Sequence, residues 1–236
     1  MNGPADLRHI APWLCRFRGG PAPRKKSAVL PALLALALVV APRNGHAQTA
    51  GRHSLDTPEA RAAATVFRAF VKARSAYDVP KVIAMRSADY VWVEFTGERR
   101  PGNPTDLQNI VEWEKVMDTK WECRILGYED GALEVEMREH NRLYEILGIG
   151  AAIRRQRERI SDGLLRESRV VDLRFTGRTQ DEGVTEFTDW LRLQPVPRQE
   201  GVLRNGHLVF TAESARRELP LLEEWSRTHG DHSSAR

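Results

Sequence analysis

The 236-residue sequence predicts an α+β fold: helices first, then a meander of β-strands, then helices again. Three observations point there. Ala63, Val66, Phe67, Phe70 and Val71 recur at i, i+3, i+4, i+7 and i+8, the apolar stripe of an amphipathic helix. Residues 121–175 hold runs rich in β-branched and aromatic residues, broken by Asp-Gly turn signals. Beyond residue 178 helical spacing returns. A hydrophobic share of 41% supplies enough apolar material for a core and argues against wholesale disorder.

The elements follow in order. Thr57-Pro58-Glu59 is a helix start, with Thr as N-cap, Pro in the first turn and an acid near the positive helix end. That helix should end near Ala76. Asp78 caps a short second helix over 79–85, and 88–95 reads as a strand. Gly97 to Pro104 reads as a loop. Thr105 with Gln108 fits a capping box and opens a third helix carrying Leu107, Ile110, Val111, Trp113 and Met117. Strands are expected over 121–128, 132–147, 153–160 and 164–175, with turns at Glu129-Asp130-Gly131 and Ser161-Asp162-Gly163. A three-residue second turn would set Glu158 opposite Arg166 and Arg157 opposite Glu167. It is preferred because a two-residue turn sets Glu158 against Glu167, like charge against like. In the last stretch Val184, Phe187, Trp190 and Leu191 suggest a short helix, and Pro195 and Pro197 break it. Asn205-Gly206 is a turn. Residues 212–228 form a terminal helix, with a bend at Pro220.

The N-terminal 47 residues read as a leader. Arg24, Lys25 and Lys26 precede an apolar run over 28–41, too short to span a bilayer core of about 30 Å. Gly45-His46-Ala47 then gives a small–x–small site for cleavage after Ala47. The charge changes with it. The whole chain carries 36 Lys+Arg and 32 Asp+Glu, a formal net charge of +4. Seven of those bases and one acid lie in 1–47, which leaves 29 against 31 and a net charge of −2. The basic balance that would suggest nucleic acid or an anionic surface as partner belongs to the leader. The expected organisation is a leader (1–47), a linker (48–56), a main domain (57–177) and a mostly helical C-terminal extension (178–236). The expected location is secreted or periplasmic, with no stable membrane anchor after cleavage. Two cysteines, one of them in the leader, exclude a disulfide framework, and Cys123 is expected as a small buried hydrophobe.

The order long helix, short helix, strand, helix and antiparallel meander over 57–175 resembles the nuclear transport factor 2-like superfamily, with its SnoaL-like and ketosteroid isomerase-like members. The stretch SAYDVPKVIAMRSADYVWVEF (75–95) carries the likeness most strongly, through Asp78-Val79, Ala84-Met85 and Asp89. The resemblance implies a cone-like curved antiparallel sheet packed on the N-terminal helices, an open pocket at the wide end and a sheet surface able to form a homodimer. It puts Glu94 where isomerase-like members hold a general-base carboxylate. It also puts Phe70 where they hold a tyrosine donor, and phenylalanine cannot donate.

The residues themselves offer a second reading. Leu133, Val135 and Met137 share one face of their strand, and the same parity brings Glu139 and Asn141 inward. Carried on, it would bring in Arg155, Arg157, Glu167 and Arg169. Either a β-bulge near Glu139 turns these charges outward, or they line a polar pocket in which Glu139, Arg157 and Glu167 pair. Tyr90, Trp92 and Trp113 would supply apolar walls. No His, Cys, Asp or Glu set has metal-ligand spacing, so no metal and no cofactor is expected. The alternation of acids within residues 154–159 is unlike a nucleic-acid arm. These residues point to an exported protein that binds a small organic molecule. If the protein is an enzyme, the chemistry is proton transfer or hydration, with Glu94 or Glu139 as base and Arg157 as anchor. The alternative is a non-catalytic dimeric module whose pocket is filled by its own Phe187, Trp190 or Phe210.

Overall fold

The computed structural model describes residues 55–229. The expected leader, its cleavage after Ala47, the start of the linker and the polar tail from 230 lie outside the described residues. Helix α1 (Pro58–Ser75) begins where the cap signal sits: Thr57 Oγ1 accepts from the Ala60 amide at 3.1 Å. Asp78 caps α2 (Val79–Ala84) by accepting from the Lys81 amide at 3.2 Å. Strand β1 (Arg86–Val93) follows. The stretch expected as a loop contains a short strand, β2 (Arg99–Pro101), antiparallel to β1. Helix α3 (Pro104–Val116) starts before the expected Thr105 cap. Pro104 takes its first turn, and Asn103 Oδ1 caps it by accepting from the Thr105 amide at 2.9 Å.

The meander is β3 (Lys120–Glu129), β4 (Ala132–His140), the short helix α4 (Arg142–Ile146), β5 (Ala152–Ser161) and β6 (Leu164–Phe175). The extension holds α5 (Gln180–Arg192), α6 (Val196–Gln199), β7 (Leu203–Arg204), β8 (His207–Leu208) and α7 (Ala212–His229). The main sheet is six-stranded and curved, in the order β2-β1-β6-β5-β4-β3. It is mixed rather than purely antiparallel, because β1 lies parallel to β6. The whole meander separates those two strands, so no hairpin constrains their direction.

Three expectations about the strands change. The strand expected over 132–147 stops at His140, where Asn141 Oδ1 caps α4 by accepting from the Tyr144 amide at 2.9 Å. The chain turns back through Gly148 and Gly150, both at positive φ. The β5–β6 turn has two residues, Asp162 and Gly163, both at positive φ, with Ser161 opposite Leu164. The feared Glu158–Glu167 contact is avoided by a bulge. Ile160 pairs with Leu165, but Arg159 pairs with Glu167 and Glu158 with Ser168, so Arg166 is the extra residue. A second bulge at Val171 repeats this, and bulges of this kind bend a strand. Cys123 is exposed rather than buried, since β3 is an edge strand.

The hydrophobic interior has two parts that share α3. In the first, Phe67 and Phe70 of α1 and Val111 of α3 pack on Leu133, Val135 and Leu165 of the sheet. In the second, Trp113 of α3, Met117 at its C-cap and Tyr144 of α4 pack on Phe187, Leu222 and Trp225 of the extension. Phe210 meets Trp113 edge-on at 5.1 Å between centroids.

One acid sits inside this second core. Glu218 of α7 is 0% exposed and accepts from Trp113 Nε1 at 3.3 Å. Burial pushes its carboxyl up to about 8, so it is mostly protonated at neutral pH. A carboxyl whose folded pKa is raised contributes stability at acid pH, and loses it as pH rises from the unfolded value near 4.3 through about 8. Glu218→Gln should therefore raise Tm by roughly 5–10 °C more at pH 8 than at pH 5. Thermal melts at the two pH values check this, and an equal shift at both would refute it.

Candidate functional site

A cavity of about 110 Å³ lies between the inner face of the sheet, α1, the start of α3 and the β1–β2 edge. That is similar to the roughly 150 Å³ space known to accept benzene in another protein's core. Phe67, Phe70, Leu107 and Met137 make its apolar wall. The polar floor comes from β5 and β6. Arg154, Gln156 and Glu158 alternate inward along β5, opposite Met137, Val135 and Leu133 of β4, and Ser168 of β6 stands beside Glu158.

The buried charges of this region are mostly paired. Arg154 (5% exposed) forms an ion pair with Glu139 (1%), which also accepts from Asn141 Nδ2 at 3.1 Å. Arg74 grips Glu114 with two bonds, one of them Nε to Oε2 at 3.1 Å. Both guanidiniums lie over the Trp121 ring, Arg74 at 4.2 Å and Arg154 at 5.1 Å from its centroid.

Glu158 is different. It is 3% exposed, takes no part in an ion pair among the described residues, and its Oε2 accepts from Ser168 Oγ. Burial pushes its carboxyl up to about 7, and the Ser168 bond and the charges of Arg86 and Arg74 pull the other way. A carboxyl poised near neutrality on the wall of a cavity can both take and return a proton.

Several buried donors on the same wall have no acceptor. They are Arg86 Nε, Arg100 Nε and Nη1, Tyr90 Oη and Trp121 Nε1. Each buried polar group left without a partner costs about 1–3 kcal/mol. Arg86 sits over the Tyr90 ring at 4.2 Å. Gly102 lets β2 pass close above that ring: a Cβ there would lie 2.5 Å from Tyr90 Cδ1.

The site residues expected from sequence divide. Tyr90 and Trp92 line the cavity. Glu139 and Asn141 are inward, and no bulge turns Glu139 out. They stand behind the wall, where Glu139 holds Arg154. Trp113 lies in the second core, away from the cavity. Glu94 follows the last residue of β1 and does not line the cavity; its Oε1 is 3.9 Å from Arg100 Nε, and burial raises its pKa. Arg155, Arg157 and Glu167 are on the other face of the sheet, where they pair with Glu134, Asp130 and Arg99 respectively. The expected pairing of Glu139, Arg157 and Glu167 is replaced by Glu139–Arg154. Parity could not be carried from β4 to β5 because α4 interrupts the ladder, and the bulge at Arg166 reset it again in β6. Glu158 and Arg154 were missed for that reason, whereas Arg86 opens β1 ahead of the strand expected from 88, and Arg100 lies in the stretch expected as a loop. A signal for Glu158 was present: apolar Ile160 shares its face of β5 with Glu158, Gln156 and Arg154 by simple alternation.

The strand order and the helices on one face of the curved sheet define a nuclear transport factor 2-like fold. No protein-family model and no curated protein matches the sequence. Solved structures of low identity are similar to parts of this chain. A putative ketosteroid isomerase from Kribbella flavida is 13% identical, over 64% of this chain and 94% of its own, with a TM-score of 0.39. An LEH-like epoxide hydrolase of M. tuberculosis is 19% identical, over 49% of this chain and 81% of its own, with a TM-score of 0.39. A ketosteroid isomerase-like protein from Catenulispora acidiphila, in complex with trimethylamine, is 13% identical, over 44% and 82%, with a TM-score of 0.34.

The Glu158 carboxyl should titrate near pH 7 when followed by ¹³C NMR of its side chain, and Ser168→Ala should move that titration upward. The stability that the protonated carboxyl supplies is lost as pH rises from about 4.3 through about 7, and Glu158→Gln should remove this slope from denaturation curves. A titration near the ordinary carboxylate range would refute the assignment.

Proposed function

We propose that this chain is an exported protein that binds a small organic molecule in the cavity between β5, α1 and the β1–β2 edge. The observation that carries the reading is Glu158, a buried carboxyl held near neutrality by burial and facing a cavity with apolar walls. The chemistry that suits it is proton transfer. The Glu158 carboxylate takes a proton from a carbon next to a ligand carbonyl, and the Tyr90 hydroxyl, buried close to Ser168 and outside any well-formed hydrogen bond among the described residues, donates to the oxygen where the charge develops. Tyr90 thus offers the donor that Phe70 lacks. The reading of a pocket filled by the extension finds no support. Phe187 and Phe210 lie in the second core, Trp190 packs against it, and none lines the cavity. Export rests on the leader pattern alone.

Two experiments test this. Deuterium exchange into a panel of small ketones, followed by NMR, should be catalysed by the protein. Glu158→Gln should slow it by 10²-fold or more, and Tyr90→Phe by on the order of 10-fold or more. Exchange at the uncatalysed rate across the panel would sink the catalytic part, and the absence of any bound molecule in native mass spectra would sink the binding part. For export, the protein recovered from the periplasm of a producing bacterium should begin at Gln48. Recovery of the uncut chain from the cytoplasm would overturn it.

A further inference from the structure

Building on the ligand-cavity reading, we infer that the molecule bound there is a small one-ring carboxylate, with its carboxylate taken by Arg86 and Arg100 and its ring against Phe67, Phe70 and Leu107. The argument is one of unmet hydrogen bonds. Buried polar atoms are normally paired, and exceptions call for a reason. On this cavity the exceptions share a chemistry. Arg86 Nε, Arg100 Nε and Nη1 and Trp121 Nε1 are donors only, and the Tyr90 hydroxyl can donate. What these donors lack, among the described residues, is an acceptor.

Four of the carboxylates near these donors are engaged elsewhere or stand too far off to fill that role. Glu114 is held by Arg74 and Glu139 by Arg154. Glu98 meets Arg100 through Nη2 at 3.1 Å, which leaves Nε and Nη1 of the same guanidinium unbonded, and Glu94 stays 3.9 Å from that Nε. Glu158 is bonded to Ser168 and forms no ion pair with Arg86. Among the described residues Arg86 has ring contacts, with Tyr90 at 4.2 Å and Phe70 at 5.5 Å, and no ion pair is formed by it. A desolvated guanidinium that faces a cavity and has no carboxylate bonded to it is a standing site for one, because its planar fork matches two oxygens. The apolar wall and the cavity volume of about 110 Å³ limit the rest of the ligand to about one ring.

The test uses the full-length protein as isolated, with benzoate, benzyl alcohol and inorganic phosphate as probes, read by isothermal titration calorimetry at low salt. Benzoate should bind at least tenfold more tightly than benzyl alcohol. Arg86→Gln should weaken benzoate tenfold or more, and leave benzyl alcohol within about twofold, which also shows that the variant is folded. Arg100→Gln gives a second reading of the same effect if Arg86→Gln does not fold. Equal binding of benzoate and benzyl alcohol, or benzoate binding unchanged in the folded variants, overturns the carboxylate inference and leaves the cavity reading standing. Phosphate binding with no benzoate binding overturns the one-ring part. If no probe binds, the ligand-cavity reading falls as well.

Discussion

The ion pair between Glu139 and Arg154 is the constraint on which the interior is built. Each is inward on a central strand of the sheet, and neither could be buried alone. Losing one partner of such a pair typically costs about 3–5 kcal/mol, because the other charge is left stranded. Asn141 joins the pair to the cap of α4, since its Nδ2 bonds Glu139 while its Oδ1 bonds the Tyr144 amide. Trp121 then lies under both Arg154 and Arg74, and Arg74 is locked to Glu114 on α3. A single polar chain therefore runs from α4 through the sheet to α1 and α3. It fixes the helices over the sheet, and the cavity is the space that remains beside it.

The pairing also explains why the cavity has a distinctive chemistry. Most charges near it are neutralised within the protein, so the exceptions are conspicuous. Glu158 has a serine but no cation, and Arg86 has aromatic rings but no acid. The extension contributes to this from a distance. By building its own core on α3 and α4, around Phe187, Leu222 and Trp225, it covers faces of those helices that would otherwise meet water. It supplies none of the cavity wall. Helix α3 is thus packed on both sides, with Val111 in one core and Trp113 in the other.

Much of the fold was legible because it is locally encoded. Thr57 and Asp78 cap the helices they were expected to cap, by short side-chain bonds that need only a few neighbouring residues. The β4 parity was equally readable, since Leu133, Val135 and Met137 put Glu139 inward by simple alternation. Reading failed wherever the phase had to be carried across an interruption. Helix α4 broke the ladder before β5, and single extra residues at Arg166 and Val171 broke it in β6. One residue of slip sends every side chain to the opposite face. Parity carried across α4 therefore points to Arg155 and Arg157, while Arg154, Gln156 and Glu158 are the inward residues.

From the sequence by itself came the α+β class, the order of the long elements, the inward Glu139 and Asn141, and the aromatic wall of Tyr90 and Trp92. All of these depend on local bonds or on alternation within one strand. Only the tertiary structure decided which charges are partnered. Arg74 meets Glu114 across 40 residues of chain, and Arg86 meets no acid at all among the described residues. Whether a buried charge is neutralised depends on what distant segments bring to within a few ångströms of it, and spacing along the chain does not contain that distance. The same holds for the Glu158 carboxyl, whose ordinary acidity is shifted by the burial that the assembled sheet and helices impose.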